Sequence, residues 1–319
     1  MTPPCSSAIT PFLVLCTAGI LAAQIVPQDR ITQQVDEAVR VTLTGNVHPL
    51  VAQATTSAPA DFATPMEHMV LHLQASAEQE AQLATLIAQQ SDPKSPHYRR
   101  FLTPKEFAAQ FGASASDIAK VSGWLQNHGL TVDEVPAGNR AIIFSGNASQ
   151  VSDAFKTEMR QYNVNGVQHL ANANDPQIPA AFAGIVGGVL KLHDFRYQPN
   201  SVKGAPVASA QGIGSMFNLT GSLNILGPAD YYTIYDINPL LSAGINGAGQ
   251  SIAVLARSNI YLSDVQSFRS MFGLKANDPK FILTNSDPGQ VNGDNLETTL
   301  DTEWAGAVAP GASINVIIS

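Results

Sequence analysis

A small α+β unit followed by a parallel α/β sheet is the fold this sequence predicts, and three observations predict it. At 319 residues the chain exceeds the usual size of one hydrophobic core, so two domains are expected. From Met66 to about Tyr197, short alternating strands and capped helices follow one another, as in an α+β unit. From Ser251 onward, apolar strands alternate with helices, the pattern of a buried parallel sheet. Between the two, Gln198 to Gly221 is rich in Ser, Gly, Ala and Val, lacks periodicity, and reads as an exposed linker open to proteolysis. The expected boundaries are a leader over 1–24, a first domain over 25–197, a linker over 198–224 and a second domain over 225–319.

The leader rests on the apolar run from Ile9 to Ala23, which has signal-peptide rather than membrane-spanning length. Both cysteines, Cys5 and Cys16, lie inside it, so removal of the leader leaves a chain with no disulfide or thiol chemistry. Leu13-Val14-Leu15 before Cys16 lacks the small residue expected ahead of a lipidated cysteine.

Regular structure is expected to begin after Pro65. Met69, Leu71 and Leu73 alternate with His68, Val70 and His72, which is strand periodicity. Ser76 caps a helix to Gln90 with Leu83, Leu86 and Ile87 on one face. Pro93 and Pro96 break that helix, and Thr103-Pro104 starts the next with proline in the favoured first turn. Ser114 to His128 is a further helix. Thr131 to Val135 and Ala141 to Phe144 form a hairpin, Ser149 to Met159 a helix, and Gln161 to Leu170 a second hairpin turning at Asn165-Gly166. In the second domain Pro228 starts a helix, and the turn Gly244 to Gln250 feeds the strand Ser251 to Leu255. Leu262 to Phe272 is a helix, Lys280 to Thr284 a strand, Asn285 to Asp294 a loop, and Ser313 to Ile318 a strand.

Hydrophobic residues make up 45% of the chain and charged ones 13%, with a net charge of -8. No basic run or basic–aromatic patch occurs, which excludes a nucleic-acid partner. Gly247-Ala248-Gly249 precedes its strand, whereas a dinucleotide fingerprint needs strand, then glycines, then helix. His68 and His72, beside Glu67, lack metalloprotease order and point to the open face of a sheet, so they read as solvated. No Gly-x-Ser-x-Gly elbow occurs.

What remains is Glu297 and Asp301. At i and i+4 on a helix their Cβ atoms lie roughly 5–6 Å apart, where two like charges oppose helix formation. One reading is a solvated helix start, with acids near the positive end of the dipole. The other is a proton-sharing pair whose pKa values split. Leu300, Trp304 and the Ala305-Gly306-Ala307 run favour the second, being too apolar and too small for a solvated face.

Glu297-Thr298-Thr299-Leu300-Asp301-Thr302-Glu303-Trp304-Ala305-Gly306-Ala307, followed by Ala309-Pro310-Gly311-Ala312, resembles the catalytic helix of the sedolisin (serine-carboxyl) peptidases, the kumamolisin-like branch in particular. Ser95-Pro96-His97-Tyr98-Arg99-Arg100-Phe101-Leu102-Thr103-Pro104 and Gln168-His169-Leu170-Ala171-Asn172 resemble the activation prodomain of that family. The resemblance covers nearly everything from Arg40 to Ser319. It implies a zymogen secreted to the extracellular space or periplasm: a ferredoxin-like prodomain docking on its own catalytic domain, a processed linker, and the N-terminal part of a subtilisin-like catalytic domain. It implies polypeptide substrates and no membrane association once the leader is removed. In the Ser-Glu-Asp triad Glu297 matches the general base and Asp301 its hydrogen-bonded partner, with Glu303 a bystander; carboxylates serve in acid where an imidazole stays protonated.

The family's nucleophilic serine, its oxyanion-stabilising aspartate and its calcium ligands correspond to positions beyond Ser319, so the 319 residues are expected to be inactive alone, as the N-terminal portion of a truncated enzyme. Ala256 stands where some members carry a glutamate. The alternative is a stand-alone prodomain that inhibits or chaperones a related peptidase. All seven histidines precede Tyr197, so acid charges this part of the chain preferentially unless they are merely scattered surface groups.

Overall fold

The computed structural model describes residues 26–195, 217–218, 224–284 and 287–319. The chain divides into two units, Met1–Arg196 and Tyr197–Ser319. The leader and most of the expected linker lie outside the described residues.

In the first unit the elements run β1 (Arg40–Thr42), a 3-10 turn (Pro49–Gln53), β2 (Thr56–Pro59), β3 (Pro65–Leu73), α1 (Ala77–Ser91), α2 (Pro104–Phe111), α3 (Ala115–Asn127) and β4 (Thr131–Glu134). They continue with β5 (Ala141–Asn147), α4 (Ala148–Phe155), β6 (Met159–Val164), β7 (Val167–Asn172), β8 (Gln177–Pro179) and β9 (Val186–Leu190). The main sheet has the order β4-β5-β3-β9, every neighbour antiparallel. A second sheet has the order β2-β6-β7, and β1 pairs with β8.

Regular structure therefore begins before Pro65, contrary to expectation. β2 is exposed along its whole length and carries no apolar alternation; it exists because Thr56 to Pro59 pair with Asn163 to Arg160 of β6. β3 follows its alternation, with Met69, Leu71 and Leu73 fully buried. A bulge between Met66 and Met69 leaves His68 at φ 52° and lets both methionines face the core although they are an odd number of residues apart.

Helix starts follow their local signals. Ser76 with Gln79, Thr103 with Glu106, and Asn147 with Gln150 each form a reciprocal capping box. The apolar face expected on α1 is little used: only Gln79 is buried, its amide donating to the Gln110 and Gly112 carbonyls, and Ile87 is 55% exposed. α4 ends at Phe155 rather than Met159, because Lys156 turns left-handed and Met159 pairs with Asn172 in the β6–β7 hairpin. That hairpin turns through Asn165 (φ 54°) and Gly166 (φ 83°), the two positive-φ residues of a type I′ turn. Buried Asp117 accepts the Arg30 and Ile31 backbone N–H groups at 2.8 and 2.9 Å, pinning the N-terminal arm to the start of α3. Trp124, Phe144, Phe155 and Phe182 centre the core.

The second unit contains β10 (Phe217–Asn218), β11 (Asn224–Ile225), α5 (Pro228–Ile234), α6 (Asn238–Ser242), β12 (Ser251–Ala256), α7 (Leu262–Met271), β13 (Lys280–Leu283), α8 (Asp294–Val308) and β14 (Ser313–Ile318). β12, β14 and β13 form a parallel sheet in that order. Val254, Ala256, Ile314, Val316 and Ile318 are buried on one face, whereas Leu255 on the other is 80% exposed. Among the described residues, no helix is long and apolar enough to cross a membrane.

Candidate active-site helix

α8 carries both sequence-predicted acids. Its buried residues are Asp294, Thr298, Thr302, Gly306 and Ala307, a stripe with a four-residue step that fixes which side packs. Glu297 and Asp301 each precede a buried threonine and lie one turn apart on the exposed flank of the helix. Among the described residues neither carboxylate takes a hydrogen-bond partner, so the Asp301–Glu297 hydrogen bond that the resemblance implies is not made here. Leu300, used above to argue against a solvated face, is 50% exposed.

The buried threonines satisfy themselves within the helix. Thr298 Oγ1 donates to the Asp294 carbonyl at 2.9 Å and Thr302 Oγ1 to the Thr298 carbonyl at 2.7 Å, leaving small, internally paired groups against the sheet. The start of α8 is held from β12. Arg257, just beyond that strand, donates to Asp294 Oδ1 at 2.9 Å, one turn before Glu297. Ser258 Oγ accepts the Val291 N–H at 2.9 Å and fixes the loop leading into the helix.

The other end is anchored by a buried arginine. Arg269 of α7 donates from Nη1 to the Gly306 carbonyl at 3.1 Å and from Nε to the Lys275 carbonyl at 2.7 Å. A cation at the negative end of a helix is favourably placed. Tyr232 Oη donates to the Ala307 carbonyl at 2.7 Å. The turn after α8 is tied to Asn277, whose amide reaches the Pro310 and Ala312 carbonyls, and to Asn246, whose carbonyl accepts the Gly311 N–H. The sequence places Asp294 only at the end of the loop that leads into the helix. It had no signal for Arg257, Arg269 or Tyr232, which come from other elements.

Glu303 turns away from the pair, as its spacing requires. It is half-buried, and its carboxyl is pushed up to about 7, chiefly by burial and secondarily by the charge of Asp264 on α7. Trp304 beside it packs on Tyr231 and Phe268, with ring centroids at 5.1 and 6.2 Å. The helix thus offers two water-accessible acids one turn apart on one flank, and a carboxyl of raised pKa on another. Among the described residues no set of three or more His, Cys, Asp or Glu converges to hold a metal ion. His68 stands 3.6 Å from Asp133, and His72 is exposed.

Residues 53–195 match the family model described as Pro-kumamolisin, activation domain. Kumamolisin of Bacillus sp. (strain MN-32) is 30% identical over 238 residues, which cover 70% of this chain and 40% of that protein. Sedolisin of Pseudomonas sp. (strain 101) is 27% identical over 271 residues, covering 83% of this chain and 45% of the relative. Xanthomonalisin of Xanthomonas sp. (strain T-22) is 26% identical over 200 residues, covering 60% and 23%. The chain spans less than half the length of these relatives. An antiparallel α+β unit that matches an activation domain, followed in sequence by a parallel-sheet unit, marks a protein that carries a prodomain. The matches support a sedolisin-family, kumamolisin-like protein with an activation prodomain.

Proposed function

We propose that the chain is the N-terminal portion of a secreted, acid-acting serine-carboxyl endopeptidase zymogen. Glu297 is its general base and Asp301 the hydrogen-bonding partner of that base. The observation that carries this reading is the placement of the two acids one turn apart on the exposed flank of α8, a helix fixed at both ends by Arg257, Arg269 and Tyr232. A base must be reachable by the hydroxyl it deprotonates, and an exposed flank allows this where a buried one does not.

In mild acid a carboxylate pair sharing a proton keeps one member able to accept another, so a serine hydroxyl attacking a peptide carbonyl can pass its proton to Glu297. Asp301 then stabilises the protonated form by accepting from it. Among the described residues nothing else engages either carboxylate, which leaves both free to turn toward each other. The chemistry this chain supplies is that of the base and its partner; among the described residues no three or more His, Cys, Asp or Glu converge to hold a calcium ion.

The β-α-β-β-α-β succession with strand order β4-β5-β3-β9 supports a ferredoxin-like prodomain that docks on its own catalytic domain. The parallel β12-β14-β13 sheet, with α7 and α8 packed against each other, supports the opening of a subtilisin-like catalytic domain.

A chimaera tests the reading: this chain continued by the part of Bacillus sp. kumamolisin that follows the matched region. It should hydrolyse peptides in acid, and Glu297→Gln should lower kcat by roughly 10³-fold or more without altering the fold. Full activity in the Glu297→Gln chimaera defeats the assignment. Inhibition of kumamolisin by this chain, with an inactive chimaera, supports the inhibitor alternative instead.

A further inference from the structure

Three of the seven histidines meet at the end of the first unit. Phe195 is buried and stacks on His48, with centroids 4.6 Å apart and planes 20° apart, and on His169, at 4.4 Å and 29°. His193 lies 4.4 Å from His48 and 5.8 Å from Phe195. The stretch containing them is tied to β7 by an isolated bridge between His193 and Ala171 and by the Asp194 N–H donating to the Leu170 carbonyl. Phe195 shares an apolar cluster with Tyr162, Val164 and Ala171, backed by Leu50 and Val51 of the 3-10 turn.

We propose that His48, His169 and His193 form an acid-released clasp around Phe195, closing the end of the first unit at neutral pH and freeing it in mild acid.

Two of the three imidazoles are placed to lose by protonation. His48 Nδ1 accepts the Leu50 N–H at 3.3 Å and caps the 3-10 turn. A protonated imidazole has no lone pair there, so the cap fails. His193 Nδ1 is buried without a hydrogen-bond partner, and a proton placed on it would be buried without an acceptor. Charging both also sets two cations side by side.

Burial holds His193 below the ordinary imidazole range, His48 adds to the lowering, and Asp194 opposes it. A folded-state pKa below the unfolded value means the contribution to stability is complete above about pH 6.5 and is lost as pH falls toward the folded value. His169 works the other way, since its Nδ1 lies 3.0 Å from Asp194 Oδ1 and its charge strengthens that contact. It is one of three, and its partner sits on the stretch being released. Other ionisable groups also face the cluster. Tyr162 from β6 has its pKa raised by burial and stays protonated in acid. Glu67 and Lys191, beside the adjoining cavity of about 350 Å³, are of opposite sign. The clasp rests on the first unit alone and stands whether or not the peptidase reading holds.

Hydrogen exchange of the full 319-residue chain, corrected for intrinsic rates, tests it between about pH 7.5 and pH 5. Protection in peptides spanning 48–54 and 191–195 should fall by about tenfold or more, while the Phe144 strand holds. In His48→Asn/His193→Gln, which keeps a cap and removes both imidazoles, protection should persist at the lower pH. If that double variant does not fold at neutral pH, His48→Asn alone must shift the midpoint downward. Unchanged wild-type protection across the range, or an equal loss in the variants, overturns the proposal.

Discussion

The Arg269 guanidinium meets the backbone of Gly306 so closely that a Cβ at residue 306 would stand 3.0 Å from Nη1. Glycine leaves room there for the cation to reach the Gly306 carbonyl, and a Cβ would make the guanidinium give by a few tenths of an ångström at the contact that orients the helix carrying Glu297. Gly306→Val should cost about 1–3 kcal/mol through overpacking. Faster hydrogen exchange across 294–308, with the first unit unchanged, is the expected signature.

Glu297 and Asp301 contribute little to folding. Both are exposed, and as like charges at i and i+4 they repel. Glu297→Gln and Asp301→Asn should each leave stability within about 0.5 kcal/mol of the parent, on the stabilising side. Denaturant midpoints measure this; a large loss would mean that the pair is part of the scaffold.

Glu303 gives the second unit a pH dependence. Its carboxyl is neutral when folded up to about 7, but an unfolded glutamate ionises above roughly 4.3. The folded state therefore binds the extra proton, and stability falls as pH rises through that window. Glu303→Gln should remove the slope and stabilise the unit at neutral pH by on the order of 1 kcal/mol after allowance for solvent screening. Fluorescence of Trp304 during urea unfolding at several pH values reads it.

Asp117 is a structural anchor in the first unit. Its buried carboxylate accepts two backbone N–H groups, so Asp117→Ala orphans both and should cost about 2–3 kcal/mol. The arm around Ile31 should become protease-sensitive before the rest of the unit melts.

Asp294→Ala removes one partner of Arg257 and an acid from the first turn of α8. Arg257 is partly solvent-exposed, so the expected loss is modest, about 0.5–1 kcal/mol. A second effect is functional: in the chimaera kcat should fall while KM holds, because the turn before Glu297 is no longer fixed.

What was legible in the sequence was local. Ser76, Thr103 and Ser114 announced their helices because a cap acts within three residues, and Asn165-Gly166 announced its turn because few other pairs accept two positive φ values. The Glu297 and Asp301 spacing was legible for the same reason. β1 and β2 were not, because their partners are more than 100 residues away and their own residues carry no period. The Met66–Met69 bulge was hidden because alternation from Met69 onward fits a regular strand equally well. Helix α4 was overextended past Lys156, where nothing in the composition announces a left-handed residue. Arg257 and Arg269 were missed because a surface arginine and a buried anchoring one read alike.

The three capping boxes have a consequence for the order of events as the chain is made. Each of those helix starts in the first unit is specified by a pair of side chains three positions apart, so it can form as soon as those residues emerge. Helix α8 begins at Gly293 with no side-chain cap, and depends on Arg257 and Arg269 arriving from elsewhere. A chain that emerges from its N-terminus therefore presents a unit that punctuates itself before one that must wait for its own distant parts, and synthesis order becomes folding order.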